Sequence, residues 1–273
     1  MATVTPLRTL AELGDLSGRV AVLTGGAGHI GRAMAEALAE RDAVVCLVDR
    51  DAPALQSAAD ALRGATGATV HALPVDLEDE AQRVALPQRV RDLCGRADVL
   101  VNNAGFVGDS ALQGWVAPFE QQSIATWRRA LEVNLTAAFH LAQLFAPLLQ
   151  EGGHGSIVNV GSIYGVVGPD MDLYEGTAMG NPAAYAISKG GLVQATRWLA
   201  TVLGPHVRVN CISPGGVARG QAPAFVQKYE ARTPLKRMGR EEDFKGAIAF
   251  LASDLSAWVT GQNLMVDGGW TAW

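Results

Sequence analysis

The chain has 273 residues, of which 49% are hydrophobic and 18% are charged, and its formal net charge at pH 7 is −5. This composition is typical of a folded domain with a large core, and the negative charge disfavours nucleic acid and anionic membranes as partners. The three cysteines form no CxxC pair, which argues against a structural zinc site or a disulfide framework. Without an apolar run of membrane-spanning length or a secretory leader, the sequence predicts a cytoplasmic protein that binds no metal.

Short, β-branched apolar segments alternate with longer helix-like segments along the chain. The predicted strands are Arg19–Thr24, Ala43–Asp49, Thr69–Asp76, Ala97–Asn102, Ser156–Val160, Val207–Ile212 and Asn263–Val266. The predicted helices are 30–41, 53–63, 78–93, 123–150, 183–203 and 240–253. Strands that are apolar throughout belong to parallel sheets covered on both faces. We therefore predict a single α/β domain over residues 1–273, with residues 1–15 as an N-terminal extension. Its fold would be a Rossmann-type doubly wound parallel sheet of about seven strands with helices on both faces.

Two loop-like segments, Gly161–Pro182 and Pro214–Pro223, each follow a predicted strand. Parallel strands end at one common edge of a sheet, and open α/β sheets bind their ligands outside that edge. The two loops are therefore expected to border the ligand site.

The first predicted strand runs into the glycine-rich segment Thr24-Gly25-Gly26-Ala27-Gly28-His29-Ile30-Gly31, and a predicted helix follows. Glycines permit a tight turn and close approach of the backbone to a pyrophosphate, and the first helical amides face its charge. Strand, glycine loop and helix in this order predict a dinucleotide-binding site.

Asp49 ends the second predicted strand. A carboxylate in this position accepts hydrogen bonds from the ribose hydroxyls of NAD and repels the additional phosphate of NADP. The next residue, Arg50, is able to attract that phosphate, which leaves NADP as the alternative. The sequence favours NAD.

Further motifs follow the later strands in a fixed order: Asp76-Leu77, Asn102-Asn103-Ala104-Gly105, Asn134, Ser162, Tyr185-Ala186-Ile187-Ser188-Lys189 and Pro214-Gly215. Together with the glycine loop, this set resembles the short-chain dehydrogenase/reductase family from about Leu16 to Trp273. The resemblance implies four catalytic residues: Asn134, Ser162, Tyr185 and Lys189. The cofactor-binding residues are then Gly25, Gly28, His29, Ile30, Gly31, Asp49, Asp76, Leu77, Asn103, Ala104, Gly105, Tyr185, Lys189, Pro214, Gly215 and Val217.

The residue types suit the chemistry of alcohol and carbonyl interconversion. Tyr185 and Lys189 are four residues apart on a predicted helix and so share one face. An ammonium beside a phenol is expected to lower the pKa of the phenol, which then exchanges a proton with a substrate oxygen. Ser162 is expected to hydrogen-bond that oxygen, while hydride transfer belongs to the nicotinamide.

Two departures from the family pattern leave alternatives open. The spelling TGxxGxxG, with His29 where a glycine is usual, is more typical of the extended branch of nucleotide-sugar epimerases and dehydratases. Residues 190–273 are too few for the substrate domain of that branch, which favours the single-domain branch. Arg219 stands where the family usually has a threonine near the nicotinamide amide. A cofactor-sensing protein without turnover is a further alternative, although such relatives typically lack the tyrosine.

The segment between Ser162 and Tyr185 is longer than is usual in the family. Its polar side chains are Tyr164, Asp170, Asp172, Tyr174, Glu175 and Asn181. They predict a small polyhydroxylated substrate such as a sugar, sugar acid or polyol, because a site built to bond hydroxyls rejects analogues that lack them. The alternative is that these residues only solvate an exposed loop or contact a neighbouring subunit. The family resemblance also implies a homotetramer or homodimer.

Overall fold

The computed structural model describes residues 7–107 and 112–273, and in that part of the chain seven parallel strands form one sheet. The strands are β1 (Val20–Thr24), β2 (Val44–Asp49), β3 (Val70–Pro74), β4 (Val99–Asn102), β5 (Gly155–Val160), β6 (Val207–Pro214) and β7 (Asn263–Val266). Their spatial order is β3-β2-β1-β4-β5-β6-β7. The order reverses between β1 and β4, and this is where doubly wound sheets bind their ligands.

The helices cover both faces of the sheet. They are α1 (Leu10–Gly14), α2 (His29–Ala39), α3 (Ala52–Thr66), α4 (Glu80–Cys94), α5 (Ile124–Leu131), α6 (Ala137–Glu151), α7 (Ala183–Leu203), α8 (Pro223–Arg232) and α9 (Lys245–Ala252). One core contains residues of α2, α3 and α9, and the other contains residues of α4, α6 and α7. The predicted Rossmann-type fold is thus confirmed.

The two cores explain why the strands are apolar throughout. Val22 and Leu23 are neighbours in β1 and both are fully buried, yet Val22 belongs to one core and Leu23 to the other. Successive side chains of a strand point to opposite faces, so a strand covered on both sides has no polar face.

The predicted helix 123–150 is not one regular helix. It begins after Ser123, whose side chain accepts a hydrogen bond from the Thr126 amide. A π-helical turn at Glu132–Thr136 then separates α5 from α6. The wider turn accommodates one extra residue, and Asn134 lies within it, buried.

Two helices were not predicted. α1 lies in the N-terminal extension, where Thr9 and Glu12 form a capping box, and Arg8 pairs with Asp254 at 2.7 Å. α8 follows the loop after β6 and begins with Pro223. Among the described helices, none is long and apolar enough to cross a membrane.

Candidate active site

The glycine loop leaves no room for side chains at two of its positions. Gly25 has a φ of +69°, and a Cβ atom there would lie 2.9 Å from the Cα of Ala104. A Cβ atom on Gly31, in the first turn of α2, would overlap the carbonyl oxygen of Gly25. The loop and the start of α2 therefore pack backbone to backbone, and the first helical amides remain open toward a phosphate group.

The segment after β4 holds the glycine loop in place. The side-chain amide of Asn103 donates to the carbonyl oxygens of Thr24 and Gly25 at 2.9 and 3.1 Å. In return, the Thr24 hydroxyl accepts hydrogen bonds from the backbone amides of Asn103 and Ala104. This network joins two strands at the point where the strand order reverses.

Asp49, at the end of β2, lies beside the same loop. Its Oδ2 accepts a hydrogen bond from the backbone amide of Ala27 at 3.1 Å, and its Oδ1 accepts one from Asp51. The carboxylate is partly buried, whereas the neighbouring Arg50 is exposed. Asp49 is thus fixed at the rim of the cleft that opens above β1 and β4.

Two adjoining clefts run along the carboxyl edge of the sheet. The first, of about 450 Å³, is lined by Gly25, Asp49, Asp76, Leu77, Ala104 and Gly105, together with Arg50 and Arg129. The second, of about 400 Å³, is lined by Gly28, His29, Ile30, Gly31, Asn103, Ser162, Tyr185, Lys189, Pro214, Gly215 and Val217. Five residues line both clefts: Gly25, Asp49, Ala104, Gly105 and Val107. The structure therefore places every predicted cofactor-binding residue along one continuous groove with a backbone cradle at its centre, which fits a dinucleotide.

The four predicted catalytic residues converge from three elements. Tyr185 and Lys189 lie on the first turns of α7, and Ser162 follows β5. The side-chain nitrogen of Lys189 is 5.9 Å from the centre of the Tyr185 ring. Tyr185 and Ser162 line the second cleft and also a third, described below.

Asn134 forms hydrogen bonds to the segment after β4 and to the start of α7. Its Oδ1 accepts a hydrogen bond from the Phe106 amide at 2.5 Å, and its Nδ2 donates to the Ser188 hydroxyl at 3.0 Å. A Cβ atom built on Gly105 would lie 3.8 Å from Asn134 Oδ1 and 3.9 Å from Lys189 Nζ. Asn134 therefore comes close to the lysine across Gly105, with its own hydrogen bonds made to α7 and to the segment after β4.

The predicted lowering of the Tyr185 pKa is wrong for this structure. Burial is the largest influence and raises the pKa of Tyr185, because the phenolate loses its hydration. A hydrogen bond from Ser162 and the charge of Arg219 act in the opposite direction but are weaker. Burial also lowers the pKa of Lys189 to about 8, which means that keeping the ammonium charged in the folded protein costs free energy.

A third cleft, of about 430 Å³, opens beyond Ser162 and Tyr185. Of the six polar residues predicted to contact substrate, Tyr164, Tyr174 and Asn181 line it. The other three face α8 instead. Asp170 pairs with Arg232, the Glu175 carboxylate lies 3.7 Å from Lys228, and Lys228 also donates to the backbone carbonyl of Asp172. The expectation that Asp170, Asp172 and Glu175 bind substrate is wrong, because two cations of α8 attract this part of the loop.

Several lining residues were missed by the sequence analysis. Arg219 lines the second cleft, with its Nε 3.6 Å from Glu241, which in turn lies 3.8 Å from His29. The sequence marks Arg219 only as a departure from the family pattern. Arg129 lines the first cleft and makes two hydrogen bonds to Glu78. Arg129 lies on a helix rather than after a strand, so no motif indicated it.

The fold and this groove define a dinucleotide-dependent oxidoreductase. A family model described as enoyl-(acyl carrier protein) reductase matches residues 25–271. A curated relative, cis-4-hydroxycyclohexanecarboxylate dehydrogenase from Sinomonas cyclohexanicum, is 38% identical and covers 93% of this chain, with 97% of its own length matched.

Two solved structures extend the comparison. The crystal structure of a short-chain type dehydrogenase/reductase from Mycobacterium marinum has a TM-score of 0.86 and 30% identity, covering 96% of this chain and 99% of its own. An NADPH-dependent 3-quinuclidinone reductase from Rhodotorula rubra has a TM-score of 0.87 and 27% identity, with coverage of 100% and 98%. The chain belongs to the short-chain dehydrogenase/reductase family and is an NAD(P)-dependent oxidoreductase.

Proposed function

We propose that this protein, as one catalytic domain, interconverts a secondary alcohol and a carbonyl compound with NAD(H), and that Tyr185 is its proton carrier. One observation carries the proposal: Tyr185 and Ser162 line both the cofactor groove and the third cleft. A substrate in that cleft would meet a proton donor and a hydrogen-bond donor at the same place where it meets the nicotinamide. When bound, the nicotinamide supplies or accepts the hydride, and its oxidised form adds a positive charge near the phenol.

Each residue then has a distinct role. Tyr185 gives a proton to the substrate oxygen in reduction and removes it in oxidation, whereas the Ser162 hydroxyl orients that oxygen. Lys189 holds α7 against β5 and provides positive charge beside the ring. Asn134 fixes the Phe106 amide and Ser188, which keeps the wall of the groove and the start of α7 in register.

We infer a preference for NAD from Asp49. Its carboxylate is held at the rim of the first cleft by the Ala27 amide, where it suits ribose hydroxyls and repels a 2′-phosphate. Arg50 lines the same cleft and would favour NADP. The Asp49 side chain is the better fixed of the two because two backbone amides hydrogen-bond it.

We further propose a homo-oligomer, a tetramer or dimer, formed through α6 and α7. Ile187, Trp198 and Val202 lie on one face of α7 and each is more than half exposed. Phe139 of α6 lies beside Trp198, with ring centres 6.2 Å apart. Large apolar side chains exposed on one helix face are typical of an interface. Sedimentation of the wild type should show an oligomer that Trp198→Glu dissociates, and a monomeric wild type would contradict this assignment.

The proposed reaction is tested by mixing the protein with NAD and a panel of secondary alcohols, and with NADH and the corresponding ketones, while following the absorbance of reduced nicotinamide. Tyr185→Phe is expected to lower kcat by about 10²–10⁴-fold, the usual contribution of general acid/base catalysis. Binding of NADH, followed by its fluorescence, should change little because the ring is retained. A variant that keeps activity within a few-fold of wild type would sink the assignment of Tyr185.

A further inference from the structure

The third cleft carries a cluster of polar side chains besides Ser162 and Tyr185. The hydroxyl oxygens of Tyr164 and Tyr174 are 2.8 Å apart and hydrogen-bonded. The Asn181 side chain lies near enough to Tyr164 to lower the pKa of its hydroxyl. The Tyr229 hydroxyl oxygen accepts a hydrogen bond from the Gly216 amide at 2.6 Å. All four side chains line the cleft.

The cluster retains hydroxyl protons that are not used in its own hydrogen bonds. One of the two hydroxyl protons of Tyr164 and Tyr174 is used between them, so one remains. The Tyr229 hydroxyl uses its oxygen as an acceptor and keeps its proton. Within residues 7–107 and 112–273, neither remaining proton has an acceptor. Burial raises the pKa of Tyr164, and it raises that of Tyr229 to about 12, so both hydroxyls stay protonated and remain donors.

The cluster also contains an unused acceptor. Asn181 Oδ1 is buried and has no hydrogen-bond partner in the described part of the chain. An unpaired buried acceptor destabilises the folded protein, and a ligand group that donates to Asn181 Oδ1 would remove this cost. The cluster thus combines unused donors with an unused acceptor, and a hydroxyl group satisfies both because it donates and accepts.

The charge and shape of the third cleft limit the kinds of ligand that it can bind. Its other walls include Trp115, Val116 and Phe225. No Lys, Arg, Asp or Glu is among its described lining residues, and residues 108–111 contain no Lys or Arg. Arg219 lines the cofactor groove instead and lies 3.6 Å from Glu241. A carboxylate bound next to Asn181 would therefore lose hydration without a cationic side chain among the described lining residues to replace it.

We propose that the substrate is a neutral, compact molecule that carries at least one hydroxyl besides the reacting one, and that Asn181 and the Tyr164–Tyr174 pair bind this second hydroxyl. This inference rests on the proposed function and specifies the substrate class of the same site. It favours neutral polyols, sugars and diols over sugar acids and other carboxylates.

Three alcohols with one ring test the proposal: cyclohexanol, cis-1,4-cyclohexanediol and cis-4-hydroxycyclohexanecarboxylate. They differ only in the remote group, which is hydrogen, hydroxyl or carboxylate. For NAD-linked oxidation by the wild type, kcat/KM for the diol should exceed that for cyclohexanol by at least about tenfold, the value of one or two hydrogen bonds. The carboxylate should be the poorer of the two substituted substrates.

Asn181→Leu and Tyr174→Phe keep the shape of the cleft and remove hydrogen-bonding atoms. Both should lower kcat/KM for the diol by about tenfold and leave that for cyclohexanol within a few-fold of wild type. Asp172→Ala is the matched control, because this exposed residue lies in the same loop but outside the cleft. NADH binding and thermal unfolding of each variant check that it has folded.

Equal rates for cyclohexanol and the diol would overturn the proposal, as would a preference for the carboxylate or an equal effect of the variants on all three alcohols. Failure of every neutral alcohol and diol would overturn it too. In that case, Tyr185-dependent reduction of an apolar ketone or an acyl thioester would show that the proposed function stands and only the substrate class is wrong.

Discussion

The side-chain nitrogen of Lys189 lies 2.8 Å from the carbonyl oxygen of Val160, the last residue of β5. One side chain thus ties the helix that carries Tyr185 to the strand that leads into Ser162. Lys189 is 3% exposed. The ammonium has few groups around it to replace lost water, which is why its pKa falls to about 8.

The lowered pKa of Lys189 makes stability depend on pH. In the unfolded chain the lysine regains its ordinary pKa of 10.5 and binds its proton more tightly than in the folded chain. Relative to Lys189→Met, the free energy of unfolding of the wild type should be lowest below about pH 8. It should then rise toward pH 10.5 by up to roughly 3 kcal/mol. Urea unfolding across this range measures the difference. Lys236→Met, at an exposed lysine, is the control. If the free energies of unfolding of the wild type and Lys189→Met differ by the same amount at every pH, the burial of the Lys189 charge is contradicted.

The selection of NAD over NADP is expected to depend on Asp49. Asp49→Ser should raise kcat/KM with NADP by about tenfold or more, because a repelling carboxylate next to the 2′-phosphate is removed. Asp51→Ser removes a carboxylate two residues away, where serine still caps α3, and should leave the ratio unchanged. A wild type that already prefers NADP would show that Arg50 governs the choice.

Arg219 is expected to bind the diphosphate of the cofactor. It lines the second cleft with Gly28 and His29, and Glu241 is its nearest acidic partner. Arg219→Met should weaken binding of ADP-ribose by about tenfold, as for a partly exposed charge-assisted hydrogen bond, without weakening binding of adenosine, which has no phosphate. Glu241→Gln should strengthen ADP-ribose binding. Calorimetry measures both effects.

Arg240→Met is the control for Arg219, since the Arg240 side chain is 70% exposed and lies outside the cleft. Equal binding of ADP-ribose by Arg219→Met and wild type would show that the glycine loop alone binds the phosphates.

Two glycine substitutions should have opposite effects on stability. Gly31→Ala places a methyl group against the Gly25 carbonyl, so it should destabilise the protein and weaken NADH binding. Gly64→Ala lies in α3, and apart from its chain neighbours and the helix backbone no atom lies within 4 Å of the new methyl group. It should stabilise the protein by about 0.5–1 kcal/mol through helix propensity. Chemical denaturation of both variants measures the contrast, and a neutral Gly31→Ala would mean that the loop relaxes freely.

The positions of strands and motifs could be predicted because they depend on local patterns. An apolar run such as Val20–Thr24 predicts a strand by itself, and topology then brings Asp49, Asn103 and Ser162 to one edge of the sheet. The features that were missed depend on contacts between distant segments. The Tyr185 pKa follows from burial by several loops, and the direction of Asp170 follows from Arg232, far along the chain. The π-helical turn preserves the apolar periodicity closely enough to look like a regular helix.

The π-helical turn at Glu132–Thr136 restricts where this part of the chain tolerates insertions and deletions. The helical run from Ile124 to Glu151 holds one residue more than a regular α-helix of the same span needs. Deleting that extra residue would restore a regular helix, whereas inserting or deleting one residue in α5 or α6 outside the turn would rotate one part of the run by about 100° against the other. Arg129 would then leave Glu78, and Asn134 would turn from Phe106 and Ser188. Insertions and deletions usually accumulate in loops, but in this helical run a single one outside the turn would misalign the cofactor groove and the catalytic centre together.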